Sequence, residues 1–133
     1  MILHHQRRRS SARRGRLTSI TCRPPPSLEI IDTWEVSQLA YLLEKLDAIK
    51  ETTGTVLDNS VVFFSSEIED GDAPRHTNMP VVLGGAAGGA IPTGRHLVKT
   101  GAKTSELMLA LIGACGASAT SFGDDGKAPL SLA

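Results

Sequence analysis

Two short runs without a charged residue, Val61–Ser66 (VVFFSS) and Pro80–Gly85 (PVVLGG), enclose a loop that crowds Glu67, Glu69, Asp70, Asp72 and His76 together. Runs this rich in β-branched and aromatic side chains read as strands. Their lack of alternation predicts burial on both faces, as in a parallel sheet covered by helices. Pro80 falls at a strand's first residue, where its missing N–H is tolerated. Arg95–Lys99 (RHLVK) reads as a short third strand.

Helices flank these runs. Asp32 followed by Glu35 has capping-box spacing, and Val36, Leu39, Ala40, Leu43, Leu46 and Ile49 recur along one helical face. Lys50 suits the last turn and Gly54 the stop. A second helix is expected from about Thr104 to Gly113, with Thr104 as cap, Glu106 in the first turn, and Leu107, Leu111 and Cys115 on one face. Cys115 reads as a small core residue. Helix, strand, loop, strand, short strand, helix is an α/β pattern.

The formal net charge of zero hides two opposite halves: residues 1–33 sum to +5 and residues 34–133 to −5. Arg, Ser and three consecutive prolines (Pro24, Pro25, Pro26) fill the first segment with almost no apolar periodicity, so a solvated, disordered tail is expected there. No folded basic surface accompanies it and aromatics are few, which argues against a nucleic-acid partner. No apolar stretch reaches the length of a membrane span, and the basic start lacks the apolar segment of a signal peptide. Cys22 and Cys115 do not make a disulfide framework.

The acidic loop begins just past the first strand, where ligand sites gather in open parallel sheets. Carboxylates with an imidazole suit zinc, manganese or iron; an ordinary solvated loop is the competing reading. An EF-hand is excluded, because counting Glu67 as position 1 puts Asn78, not glutamate, at position 12. Gly84–Ala90 (GGAAGGA) follows a strand like a phosphate loop, but Ile91-Pro92 comes next, not a helix, and no Lys-Ser/Thr closes it. Ser65 or Ser66 with His76 and an acid lacks the G-x-S-x-G pattern of a nucleophile elbow. His96 beside Arg95 is a candidate anion contact or a packed histidine.

The segments LAYLLEKLDAI, GTVLDNSVVFFSSEIEDGDAPRHTNMPVVLGGAAGGAIPTGRHL and SFGDDGKAPL resemble the C-terminal end of the bacterial family called domain of unknown function 1552, from about Trp34 to Leu130. That family in turn resembles the alkaline-phosphatase-like superfamily. The resemblance implies a partial doubly wound, mostly parallel sheet with flanking helices: an incomplete alkaline-phosphatase-like domain over residues 31–133, preceded by a foreign tail over 1–30. It implies that His76, standing before Thr77-Asn78-Met79-Pro80, is a metal ligand, with Glu67 where the superfamily's Asp-His pair would be. Asp70 and Asp72 would be auxiliary ligands, zinc or manganese the metal, and a small phosphate or sulfate ester the substrate. Ser66-Glu67-Ile68 departs from the pattern, offering one carboxylate and no adjacent histidine. The superfamily's nucleophile lies upstream in longer chains, so a truncated or frameshifted reading frame without its own catalysis is expected. The family looks exported. The alternatives are a non-enzymatic exported binding or structural module, or a non-functional gene fragment.

Overall fold

The computed structural model describes residues 2–4, 26–69 and 75–132. In chain order they form β1 (Ile2–His4), α1 (Pro26–Ala48), α2 (Val56–Asn59), β2 (Val62–Ser65), β3 (Val81–Gly84), a 3-10 turn (Ala87–Gly89), β4 (His96–Val98) and α3 (Thr104–Ala114). The Arg-rich segment expected to be a solvated tail falls, from residue 5 to residue 25, outside the described residues.

The parallel doubly wound sheet is not what forms. β2 and β3 pair antiparallel, with Val62 opposite Gly84 and Ser65 opposite Val81. The sheet order is β2-β3-β1-β4. β1 runs antiparallel to β3 and parallel to β4, so β4 would stand alone without those three N-terminal residues. The physical reason lies in the connection: among the described residues no helix intervenes between β2 and β3, and parallel neighbours need a crossover to bring the chain back. Nor is β2 buried on both faces. It is an edge strand, and Phe63 on it is exposed.

β3 shows the alternation that the apolar run concealed. Val81 and Leu83 are buried, while Val82 and Gly84 on the other face are half-buried. Val81 and Leu83 form the core with Ile91 and with Leu107 and Leu111 of α3; Leu130 and Leu132 pack against it from the C-terminal segment. Leu130 N–H also donates to the Glu106 carbonyl at 2.9 Å, fixing that segment along α3. Leu109 is buried too, although two residues from Leu107 and Leu111, so α3 has cover on more than one side.

α1 begins at Pro26 rather than at Asp32; proline is favoured in a first turn, where its absent N–H leaves nothing unpaired. Its Leu28, Leu39, Leu43 and Leu46 are half-buried, and Leu43 lies so close to Gly84 that a Cβ there would come within 2.6 Å of Leu43 Cδ2. α2 was hidden in a stretch that reads as a turn. It rests on a capping box: Asp58 N–H donates to Thr55 Oγ1 at 3.1 Å, and Thr55 N–H to Asp58 Oδ2 at 2.9 Å. α3 starts one residue after its cap, Lys103, whose N–H donates to Glu106 Oε2 at 3.1 Å. Cys115 caps the other end and is exposed rather than part of the core.

Candidate functional site

The loop after β2 turns back on itself through Glu69, not Glu67. Glu69 N–H donates to the Arg75 carbonyl at 2.9 Å, its carboxylate lies 3.4 Å from Arg75 Nε, and Thr77 Oγ1 donates to its Oε2 at 2.8 Å. Glu67 acts through its backbone: its carbonyl oxygen sits 2.7 Å from His76 Nδ1. A carbonyl can only accept, so Nδ1 carries the hydrogen and Nε2 is the ring nitrogen left for a ligand. The Glu67 side chain is exposed. Asp70 and Asp72, the other two expected ligands, lie outside the described residues. Among the described residues no group of three or more His, Cys, Asp and Glu side chains could hold a metal ion.

His76 lines a cleft of about 240 Å³ between this loop and the start of α3. Lys99, Lys103 and Thr104 supply the other polar groups, over an apolar floor that includes Met79 and Leu107. β4 ends just before Lys99, and Lys103 caps α3. The positive end of the helix dipole therefore faces the same region as the lysines, of which Lys103 is paired with the Asp125 carboxylate at 3.1 Å. These lysines drew no notice in the sequence, because neither belongs to a spaced motif; the fold gathers them.

The C-terminal SFGDDG stretch braces this region. Phe122 and Gly126 exchange backbone hydrogen bonds of 3.0 and 3.1 Å across a tight turn. The turn presents Asp125 to α3: the Ser105 hydroxyl donates to Oδ1 at 2.7 Å, and Lys103 Nζ lies 3.1 Å from Oδ2. Those contacts, Ser105 first and Lys103 next, hold the Asp125 carboxyl below its usual value of 3.8.

The remaining candidates fall away on geometry. Ser65 Oγ donates to the Pro80 carbonyl at 2.8 Å and Ser66 Oγ accepts from Ile68 N–H at 3.3 Å, so both hydroxyls serve the backbone. The glycine-rich loop makes a 3-10 turn in which the N–H groups of Ala87, Gly89 and Ala90 donate to the carbonyls of Ser60, Ala86 and Ala87. It has no row of amides for a phosphate. Arg95 reaches the Leu132 carbonyl, so its role is to hold the C-terminal segment, while His96 is exposed on β4.

Asn78, two residues from His76, has its side-chain oxygen buried with no hydrogen-bond partner among the described residues. An orphaned acceptor oxygen suits a cation. An amide oxygen, an imidazole and a carboxylate are donor kinds that a divalent metal takes, and among the described residues no group of three His, Cys, Asp or Glu side chains is gathered to hold one.

Comparison of the chain with protein-family models, with curated proteins and with solved structures returned no match.

Proposed function

We propose that this chain belongs to a protein that handles a small phosphate- or sulfate-type ester with the help of a divalent metal, and that His76 contributes a ligand. The observation that carries the reading is the His76 ring, oriented by the Glu67 carbonyl, lining a cleft whose other polar groups are Lys99, Lys103 and Thr104. Metal-ligating histidines are characteristically oriented in this way, with one ring nitrogen held by a carbonyl or carboxylate. The metal would polarise the ester and stabilise the displaced oxygen. Within this chain, Glu67 would orient His76 and offer its carboxylate, and the two lysines would hold the oxyanion. We assign no nucleophile among the described residues, and the expected resemblance to domain of unknown function 1552 is part of the proposal.

A second reading has its own support: the cleft is lined by cationic groups, and oxyanion binding needs no metal. One titration separates the two. In long-range proton–nitrogen spectra of the imidazoles, zinc is added to the full chain, and then inorganic phosphate with and without EDTA. The metal reading expects the His76 Nε2 resonance to move with zinc, to recover with EDTA, and to respond less in Glu67→Gln. Zinc shifts confined to His4, His5 or His96 reject it. Phosphate shifts that survive EDTA and disappear in Lys99→Ala and Lys103→Ala leave the binding module standing alone.

A further inference from the structure

We propose that Asp125 is an internal competitor for the cleft: its carboxylate holds the Lys103 ammonium that an incoming oxyanion needs. Filling the cleft then means exchanging one anion for another on Lys103. The inference rests on the reading of the cleft as an oxyanion site and concerns how that site is regulated. Lys103 lines the cleft, whereas Asp125 is not among its lining residues. Yet Lys103 Nζ lies 3.1 Å from Asp125 Oδ2, so the cation is committed to a carboxylate of its own chain before any ligand arrives.

The two partners differ in how firmly they are held. The Ser105 hydroxyl donates to Asp125 Oδ1 at 2.7 Å, and the turn that carries Asp125 is closed by the backbone bonds between Phe122 and Gly126. Gly126 is buried, and a Cβ there would come 2.8 Å from Ser105 Cβ, so the turn lies flush against α3. Lys103 is anchored only at its backbone, where its N–H donates to Glu106 Oε2. That bond occupies a second carboxylate oxygen at this end of α3 and leaves the ammonium to Asp125. The lysine side chain is 47% exposed and that of Asp125 56%. An ion pair this open to water is weak, and a four-carbon stem can swing its charge to another anion at little cost. The carboxylate stays and the lysine moves. Because the repulsion from Asp125 scales with the ligand's charge, a doubly charged oxyanion is penalised more than a singly charged one.

The test titrates the full chain with inorganic sulfate, which stays doubly charged near neutral pH, and with singly charged methyl sulfate. Ionic strength is held constant, EDTA is present, and the His76 imidazole resonances report occupancy. Sulfate should bind about two- to fivefold more tightly to Asp125→Asn than to the native chain, and methyl sulfate should gain less. The gain should vanish when Asp125→Asn is made in Lys103→Ala, as a double-mutant cycle requires of a contact between the two. Asp124→Asn, which removes the same charge one residue away, should change nothing. Far-UV circular dichroism checks that each variant keeps the native helix content. Weaker binding by Asp125→Asn would make Asp125 a brace that positions Lys103, and overturns the proposal. So does unchanged binding, an equal gain in Asp124→Asn, or a gain that survives Lys103→Ala. Sulfate that leaves His76 unmoved in the native chain and in every variant rejects the oxyanion reading of the cleft, and the inference falls with it. A native chain that binds sulfate as well as Asp125→Asn does rejects the inference alone.

Discussion

Gly85 shows how one missing side chain joins two elements. Its φ of +89° lies in the left-handed region, and a Cβ there would come 2.3 Å from the Ser60 carbonyl and 2.7 Å from that of Leu57. Both obstacles are backbone, at the end of α2, and neither can rotate away. Gly85→Ala is therefore expected to destabilise the chain by more than the roughly 1–3 kcal/mol of left-handed strain alone. Gly88→Ala, at φ +66° with nothing within 4 Å, isolates the strain. Urea unfolding of the pair checks this; equal losses would show that the carbonyl contact counts for nothing. Asp125 supplies a pH signature at the same scale. Its carboxyl titrates lower in the folded chain than in the unfolded one. The stabilisation it gives is thus fully present above the usual 3.8 and lost as pH falls through the lowered folded value. The difference in melting temperature between the native chain and Asp125→Asn should shrink as pH drops below about 4, and Ser105→Ala should reproduce much of it. An offset independent of pH would mean the carboxylate's charge is not what matters.

The elements themselves were largely legible. The strands centred on Phe63, Val82 and Leu97 and the helix carrying Leu107 and Leu111 form close to where composition and periodicity put them. What failed was the inference from a continuous apolar run to burial on both faces, and from that to a parallel sheet. Phe63 is apolar and exposed, so a run of such residues on an edge strand mimics a buried one. That no helix stands between the two runs among the described residues was the better guide, because it leaves antiparallel pairing as the short route. Three features were out of reach for a different reason. α2 is held by Thr55 and Asp58 side chains within a turn-like stretch, β1 pairs across most of the chain, and Lys99 and Lys103 acquire meaning only once β4 and α3 meet. His76 meets Glu67 only through the Glu67 backbone carbonyl, a contact that no side-chain motif could reveal and that is distinct from the expected ligation by the two side chains. At this scale, Leu107→Ala should cost about 2–5 kcal/mol, since Leu107 is wholly buried between α3 and β3. Thr55→Ala, which removes the cap and the hydroxyl's hydrogen bond to Asp47, should cost about 1 kcal/mol. Chemical denaturation of both variants tests the ranking, and a Thr55 loss equal to that of Leu107 would mean α2 anchors far more than its own turn.

Seen whole, the molecule divides its surface by charge and by greasiness. A cationic cleft lies at the start of α3, and an acidic, apolar-faced helix stands on the sheet's other side, met through Gly84. No helix is long and apolar enough to cross a membrane among the described residues. The exposed Trp34 gives this arrangement a simple optical test: acrylamide should quench the isolated chain nearly as well as free tryptophan, and strong protection would mean that α1 is already covered in solution.

β1 sits between β3 and β4, with Ile2 opposite both Val82 and His96. Strand pairing across roughly ninety residues, from Leu3 to Leu97, is slow to form, because a long loop must close before any contact rewards it. During synthesis, β1 must wait for β4 before the sheet can be completed. An affinity tag fused at the amino end would sit beside the middle of the sheet, while one fused at the carboxyl end would leave that last pairing step undisturbed. Replacing Leu3 with proline, which deletes one N–H from the ladder, should open the amides of β4 to hydrogen exchange and spare those of β2 paired with β3.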